Sequence, residues 1–225
     1  MVQFTGVDVG YDGPNILRGL DFEVRTGEVA FVTGPTSAGK TTFMHLVRLA
    51  LLPRSGQAII MGADVQRLNS RDRARVKRKI GYIGENPVFV EDWSGFDNIA
   101  EALKIGGKRS KDFTEDVSEL IDFVGLGDHA KQPVRELSGA ARRRVAIARA
   151  LAAKPDLILA DDPTSGMSPD AGHRVVRLLG EMRKVGAGVI ITSQDESLAE
   201  WAPGALYRIQ NGQLTAADES TAAEA

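Results

Sequence analysis

Short blocks of apolar residues near the start of the chain predict strands at Gln3–Val9, Leu20–Arg25 and Glu28–Thr33. Phe43, Met44, Leu46 and Val47 then recur at helical spacing, which predicts a helix from about Gly39 to Leu52, stopped by Pro53. Ala58–Met61 reads as a short strand, Ser70–Lys79 as a very basic helix, and Ile80–Ile83 as an apolar strand. Residues from about 94 to 153 carry a mostly helical pattern, interrupted near Gly106–Gly107, Gly125–Gly127 and Pro133. Leu157–Ala160 has four apolar residues and no polar alternation, as expected of a strand buried on both faces. A helix over about Pro169–Val185, the strand Gly188–Thr192, the strand Ala205–Ile209 and a turn at Asn211-Gly212 follow. The polar segment from Ala216 is expected to be disordered. Strands alternating with helices predict an α/β domain with a mostly parallel core sheet, preceded by strands and interrupted by an inserted helical subdomain.

A length of 225 residues fits this picture as one domain with a subdomain, since it is long enough for a sizeable core. The net charge of −2 excludes a chain-wide polycation for nucleic acid, and the absence of cysteine excludes disulfides and thiolate metal sites. No apolar run approaches the length of a membrane span, and MVQFTGVDVG lacks the basic and apolar regions of a signal peptide. Work at a membrane would therefore require docking on another chain.

Candidate chemistry centres on Gly34-Pro35-Thr36-Ser37-Ala38-Gly39-Lys40-Thr41, which fits the phosphate-loop pattern G-x-x-x-x-G-K-[ST] at every fixed position, with Thr42 next to it as a further candidate for nucleotide binding. An apolar strand before it and a periodic helix after it give the context the motif requires. Glycines let the backbone wrap a phosphate chain, and the N–H groups and the helix N-terminus face the anion. Lys40 is expected on the β- and γ-phosphates of ATP, and the Thr41 hydroxyl on Mg²⁺. A second Mg²⁺ acid is expected at the end of a buried strand, and Leu157-Ile158-Leu159-Ala160-Asp161 supplies it. Asp162 is then placed to orient or polarise the attacking water.

Leu137-Ser138-Gly139 with Arg144, Ile147, Ala148, Arg149 and Ala150 matches eight positions of the signature L-S-G-G-[EQ]-x-x-R-[VA]-x-[IL]-A-R-A. On these motifs, in this order, the chain resembles the ATP-binding-cassette (ABC) ATPases over nearly its whole length. The resemblance implies a single ABC-type P-loop domain over 1–217, with a core of 1–85 and 154–217 and a helical subdomain over about 86–153, and a disordered tail at 218–225. It also implies a homodimer in the ATP-bound state, in which Ser138 and Gly139 hold the γ-phosphate of the ATP on the partner subunit. Tyr11 matches the aromatic that stacks on adenine in this family; the alternative is a strand-end tyrosine with its ring against the core. Glu85 falls at the Q-loop glutamine, Ser165-Gly166-Met167-Ser168 at the D-loop, and Gln194 at the switch histidine.

The departures cluster at positions the family uses for cleavage and dimer closure. Glu85 replaces Gln, Asp162 replaces Glu, Gln194 replaces His, Ser168 replaces Asp, and Ala140 replaces the second signature glycine. Withdrawing a catalytic carboxylate by about 1 Å costs on the order of 10²-fold in rate. Gln194 can hydrogen-bond a phosphate oxygen or water but cannot carry a proton as histidine does. Glu85 keeps an oxygen for metal or water while adding negative charge beside the phosphates. Slow hydrolysis by an ATP-binding clamp is the expectation, with mutual compensation and ordinary turnover as the alternative.

Among short cassettes, the chain is most similar to the FtsE family of cell-division proteins, in its length, the phosphate-loop flanks, Ile80-Gly81-Tyr82-Ile83 and Asp97-Asn98-Ile99-Ala100. That resemblance implies a peripheral protein at the cytoplasmic face of the inner membrane, paired with an FtsX-like integral membrane protein. The ATPase of a lipoprotein- or macrolide-type exporter is the alternative, and a nucleotide-gated scaffold that hardly hydrolyses ATP is another. Asp162-Pro163-Thr164-Ser165-Gly166-Met167 departs from the D-E-P-T-G-N of the FtsE group. Pro87-Val88-Phe89-Val90-Glu91-Asp92-Trp93 with Phe96 could form the partner's docking groove or fill the subdomain core. Arg67–Lys79 holds seven basic residues and one acid, Asp72, and reads as a solvated helix face or a contact with anionic lipid headgroups, not as a nucleic-acid site.

Overall fold

The computed structural model describes residues 1–105 and 113–217, so the break expected at Gly106–Gly107 and the tail at 218–225 lie outside the described residues. In chain order the elements begin with β1 (Val2–Val9), β2 (Leu17–Val24), β3 (Val29–Thr33), α1 (Lys40–Val47), β4 (Ser55–Ile60), β5 (Ala63–Asp64), α2 (Ser70–Lys77) and β6 (Ile80–Ile83). They continue with α3 (Gly95–Ile105), α4 (Phe113–Val124), α5 (Gly139–Ala152), β7 (Leu157–Asp161), α6 (Pro169–Glu181), β8 (Gly188–Ser193), β9 (Ala205–Gln210) and β10 (Gln213–Ala216).

These strands form an antiparallel sheet in the order β2-β1-β4-β5 and a six-stranded sheet in the order β10-β9-β3-β8-β7-β6. In the second sheet β9, β3, β8, β7 and β6 are parallel neighbours, and β10 closes one edge as an antiparallel hairpin with β9. Residues of β3, β7 and β8 are buried throughout, as a parallel sheet covered on both faces requires. Period-two alternation sends their side chains to two cores. Phe31, Ile158, Ala160, Val189 and Ile191 face a core shared with α3, α4, α5 and α6. Ala30, Val32, Leu157, Leu159 and Ile190 face one shared with α1 and the antiparallel sheet. Each large apolar side chain fully buried there contributes about 1.5–3 kcal/mol.

Three expectations shift. Helix α1 ends at Val47 and not near Leu52, so Pro53 does not stop it. Leu49 takes a left-handed φ of 61° with its side chain buried, and the Ala50 and Leu51 N–H groups both donate to His45 O at 2.8 and 3.0 Å. Helix α6 gives way at Met182 to a 3₁₀ turn that closes on Gly186, at φ 86°. Ala216 is the last residue of β10, not the start of a disordered segment. The Asn211-Gly212 pair has both φ values positive, at 53° and 77°, the geometry of a tight hairpin turn.

Candidate functional site

β6, β7, β8 and β3 end in register, with Ile83 beside Ala160, Asp161 beside Thr192, and Ser193 beside Thr33. Glu85, Asp161, Asp162, Gln194 and the loop from Gly34 therefore all leave the sheet along one carboxyl edge, where open α/β sheets bind ligands. The loop is tight for a stated reason. Gly34 has φ 155° and Gly39 φ 110°; a Cβ on the first would lie 2.5 Å from the Ile209 carbonyl oxygen, and on the second 2.6 Å from Leu17 Cδ2. Ser37 also takes a left-handed φ of 64°. Lys40 folds back over the loop and donates from Nζ to Gly34 O at 2.6 Å and Pro35 O at 2.9 Å. Burial lowers the Lys40 pKa, while Asp162, Asp161 and Glu85 oppose that shift. Thr36 donates to Gln194 Oε1 at 2.9 Å.

Asp161 is buried at the end of β7 and accepts from Thr192 Oγ1 at 2.7 Å and from the Tyr82 hydroxyl at 3.3 Å. Burial and the Asp161 charge push the Tyr82 phenol up to about 12. Asp162 turns out of the strand at φ 46°, a region asparagine and aspartate tolerate better than most residues. Its N–H donates to Thr192 O at 3.0 Å, and Ser193 Oγ lies 3.5 Å from its carboxylate. Burial raises the Asp162 carboxyl above its ordinary value; Asp161 adds to this, while Lys40 and Arg143 work against it.

Thr41, His45 and Arg48 occupy one face of the α1 region, at i, i+4 and i+7. Thr41 is exposed at the start of the helix, and Thr42 is buried. The Tyr11 hydroxyl and His45 Nδ1 share a 2.8 Å hydrogen bond, while the Tyr11 ring stays 44% exposed and is not packed into the core. Arg48 lies 4.5 Å from the centre of the Tyr82 ring. Glu85 is exposed, and its carbonyl accepts from Arg143 at 2.9 Å; Arg143 also donates to Gly84 O at 2.7 Å. Burial lowers the Arg143 pKa, with Asp162 and Glu85 opposing.

Ser138 caps α5, accepting from the Ala141 N–H at 3.2 Å, and both Ser138 and Gly139 are exposed. Among the described residues no hydrogen bond or ion pair joins them to the phosphate loop. The structure thus gathers Gly34 to Thr41, Glu85, Asp161, Asp162 and Gln194 at one edge, with Tyr11 reaching α1 through His45, and does not link Ser138 to them. Sequence reasoning missed Tyr82, Thr192, His45 and Arg143. Of these, Tyr82 lay in the quoted stretch Ile80–Ile83 and Arg143 next to the signature's Arg144, but neither was given a role.

The segment beside Glu85 divides. Phe89 is buried, with the Arg142 and Arg149 guanidinium groups 5.2 and 5.3 Å from its ring centre. Arg142 forks onto Glu91 at 2.7 and 2.5 Å and holds that carboxyl below its ordinary range, and Arg149 donates to Val88 O at 2.6 Å. Val88, Val90 and Trp93 stay exposed. Helix α2 buries no residue, and Arg67, Arg75 and Lys79 pair with Asp64, Asp72 and Asp156. No helix among the described residues is long and apolar enough to cross a membrane.

The chain's likeness to known proteins is extensive. The ABC transporter family model matches residues 17–165. The chain is 34% identical over 215 residues to the cell division ATP-binding protein FtsE of Escherichia coli, covering 95% of this chain and 97% of that one. It is 34% identical over 204 residues to the lipoprotein-releasing system ATP-binding protein LolD of Hyphomonas neptunium, covering 88% and 90%. The dimeric ATP-binding cassette MJ0796, solved in a post-hydrolysis state with ADP and Pi, superposes with a TM-score of 0.86 over 95% of this chain and 96% of that one; at 24% identity it bears on the fold alone. Together with the phosphate loop and the Asp161 strand end beside it, these matches show that the chain belongs to the ABC transporter family, as one of its ATP-binding ATPase cassettes.

Proposed function

We propose that this cassette is an FtsE-like subunit that couples ATP-driven closure of a homodimer to an FtsX-like integral membrane protein in cell division, at the cytoplasmic face of the inner membrane. The observation that carries the reading is the 34% identity to FtsE over 95% of the chain. Residues 1–85 and 154–217 form its core and about 86–153 its helical subdomain, in keeping with the packing of α3 and α4 on α5. Val88, Val90 and Trp93 offer the partner an apolar strip, anchored from below by Phe89. The basic segment 67–79 is a solvated face or a secondary lipid contact.

The donor set fits a nucleotide with its metal. Lys40 now spends its donors on two loop carbonyls, and the loop glycines leave no side chain over the backbone N–H groups. In this reading the loop from Gly34 to Thr42 cradles the phosphates, and Tyr11 offers its exposed ring to adenine. Thr41 and Asp161, together with Glu85, would hold Mg²⁺, which would supply positive charge to offset that of the phosphates. Lys40 exchanges its loop carbonyls for β- and γ-oxygens. The partner subunit's signature, equivalent to Ser138-Gly139, closes over the γ-phosphate. Asp162 accepts a proton from the attacking water, and the Gln194 amide donates to a γ-oxygen. Hydrolysis is slow, because the short Asp162 side chain and Gln194 replace a longer acid and a proton carrier.

Affinity purification of the full chain together with candidate membrane proteins tests the partner. Recovery of an FtsX-like protein, lost in Trp93→Asp and Val88→Asp, supports the reading. Recovery of a lipoprotein-exporter permease instead favours the second reading, which the comparable 34% identity to LolD keeps in view.

A further inference from the structure

Both carboxylate oxygens of Asp161 are held by the protein itself. Thr192 donates to Oδ1 at 2.7 Å from β8, on one side of β7, and Tyr82 donates to Oδ2 at 3.3 Å from β6, on the other. Thr192 is fully buried and lies directly across from Asp161 in the sheet. A carboxylate has about four lone-pair sites, so two hydrogen bonds leave oxygen capacity on both atoms for a cation or its waters. Tyr82 does more than donate. Its ring lies under the Arg48 guanidinium, which belongs to the same face of α1 as Thr41. One side chain therefore touches both the carboxylate at the end of β7 and the residue that caps the helix carrying the Thr41 hydroxyl.

We infer that Tyr82 and Thr192 are positioning residues for the metal of the bound nucleotide: Thr192 sets the rotation of the Asp161 carboxylate, and Tyr82 sets its distance from α1. The inference rests on the proposed reading of Thr41 and Asp161 as the Mg²⁺ pair. Both act through Asp161 and not as metal ligands. Their contribution is to remove the rotational freedom Asp161 would otherwise lose on binding metal, and to keep its free lone pairs aimed at one point. Groups that orient metal ligands in this way are worth about 10–100-fold in metal affinity.

Calorimetry with a non-hydrolysable ATP analogue, on the full chain, separates metal from nucleotide. Affinity is measured in chelator and again across a Mg²⁺ titration, for the wild type, Thr192→Val, Thr192→Ser, Tyr82→Phe and Asp161→Asn. Thr192→Val is close to isosteric; it also removes the acceptor of a 3.3 Å bond from the Asp162 N–H, which keeps its 3.0 Å bond to the Thr192 carbonyl, and Tyr82→Phe keeps the ring beneath Arg48. The expected result is unchanged affinity in chelator for Thr192→Val, Thr192→Ser and Tyr82→Phe. Thr192→Val and Tyr82→Phe each need about 10-fold more Mg²⁺ for half the metal-dependent gain, Thr192→Ser restores the wild-type requirement, and Asp161→Asn loses the gain altogether. If Asp161→Asn loses the gain while Thr192→Val and Tyr82→Phe keep the wild-type Mg²⁺ requirement, the positioning role is wrong and the Asp161 reading stands. If Asp161→Asn keeps the gain, the reading beneath it fails as well.

Discussion

Thr36 donates its hydroxyl to Gln194 Oε1 at 2.9 Å, tying the phosphate loop to the end of β8. That bond turns the Gln194 oxygen toward Thr36 and leaves the N–H₂ group, the half of the amide able to donate to a phosphate oxygen, without a hydrogen bond to Thr36. Thr36 therefore orients the side chain proposed to donate to the γ-phosphate. Thr36→Val removes the link without changing side-chain volume. The expected outcome is a kcat about fivefold lower, the kinetic equivalent of one hydrogen bond of about 1 kcal/mol, with KM held. Steady-state kinetics on purified protein reads this directly; an equal rise in KM with kcat unchanged contradicts it.

The two loop glycines differ in what a methyl group would strike. At Gly34 the obstacle is the Ile209 carbonyl, part of a paired strand, and at Gly39 it is the end of the Leu17 side chain, which can move. Gly34→Ala is expected to cost about 2–3 kcal/mol of stability and Gly39→Ala about 1–2 kcal/mol, the latter mostly from its left-handed backbone. Urea unfolding of the two variants gives the order.

Phe89 and its neighbours should separate stability from docking. Phe89→Ala empties the space beside Arg142 and Arg149 and is expected to destabilise by about 3–5 kcal/mol. Val88→Ser, at an 84% exposed position, is expected to stay within about 0.5 kcal/mol of the wild type. Thermal or urea unfolding of the isolated cassette distinguishes them.

Asp162 carries a pH signature. Its folded-state carboxyl binds a proton more tightly than the unfolded one, because burial disfavours the charge. The Asp162 contribution to wild-type stability therefore falls as pH rises from the ordinary value of 3.8 through the raised folded-state value. Asp162→Asn does not titrate, so its stability relative to the wild type should rise through that window, persist at neutral pH, and vanish below 3.8. Unfolding midpoints across pH measure the difference, and a constant difference at all pH values contradicts the burial argument.

The parts of the site that were legible from sequence are those made by neighbours in the chain. The loop from Gly34 to Thr41 and the Leu157–Asp161 strand each carry their chemistry in one short run, with apolar flanks that fix where the run ends. Tyr82 and Thr192 were not legible, since each reaches Asp161 only through strand pairing, from 79 and 31 residues away in sequence. The end of α1 was misplaced for a related reason. Pro53 is a strong local stop, whereas the turn at Leu49 serves a buried position that only the assembled core defines. β10 was missed because Leu214 alone of its four residues is buried, leaving almost no alternation to detect. Along Val88-Phe89-Val90 three apolar residues in a row gave no sign of which turns inward; the two arginines near the Phe89 ring lie on α5.

The central claim is an ATP-binding clamp whose altered cleavage residues make hydrolysis slow. ATP turnover measured beside nucleotide affinity, for the wild type, Asp162→Glu and Lys40→Ala, tests it most directly. The account predicts a wild type that binds ATP tightly and hydrolyses it slowly, an Asp162→Glu variant that gains rate, and a Lys40→Ala variant whose residual turnover falls roughly 10²–10³-fold. A wild type that already turns over briskly, with Asp162→Glu neutral or harmful, would contradict it and show that Asp162 and Gln194 form a fully competent site.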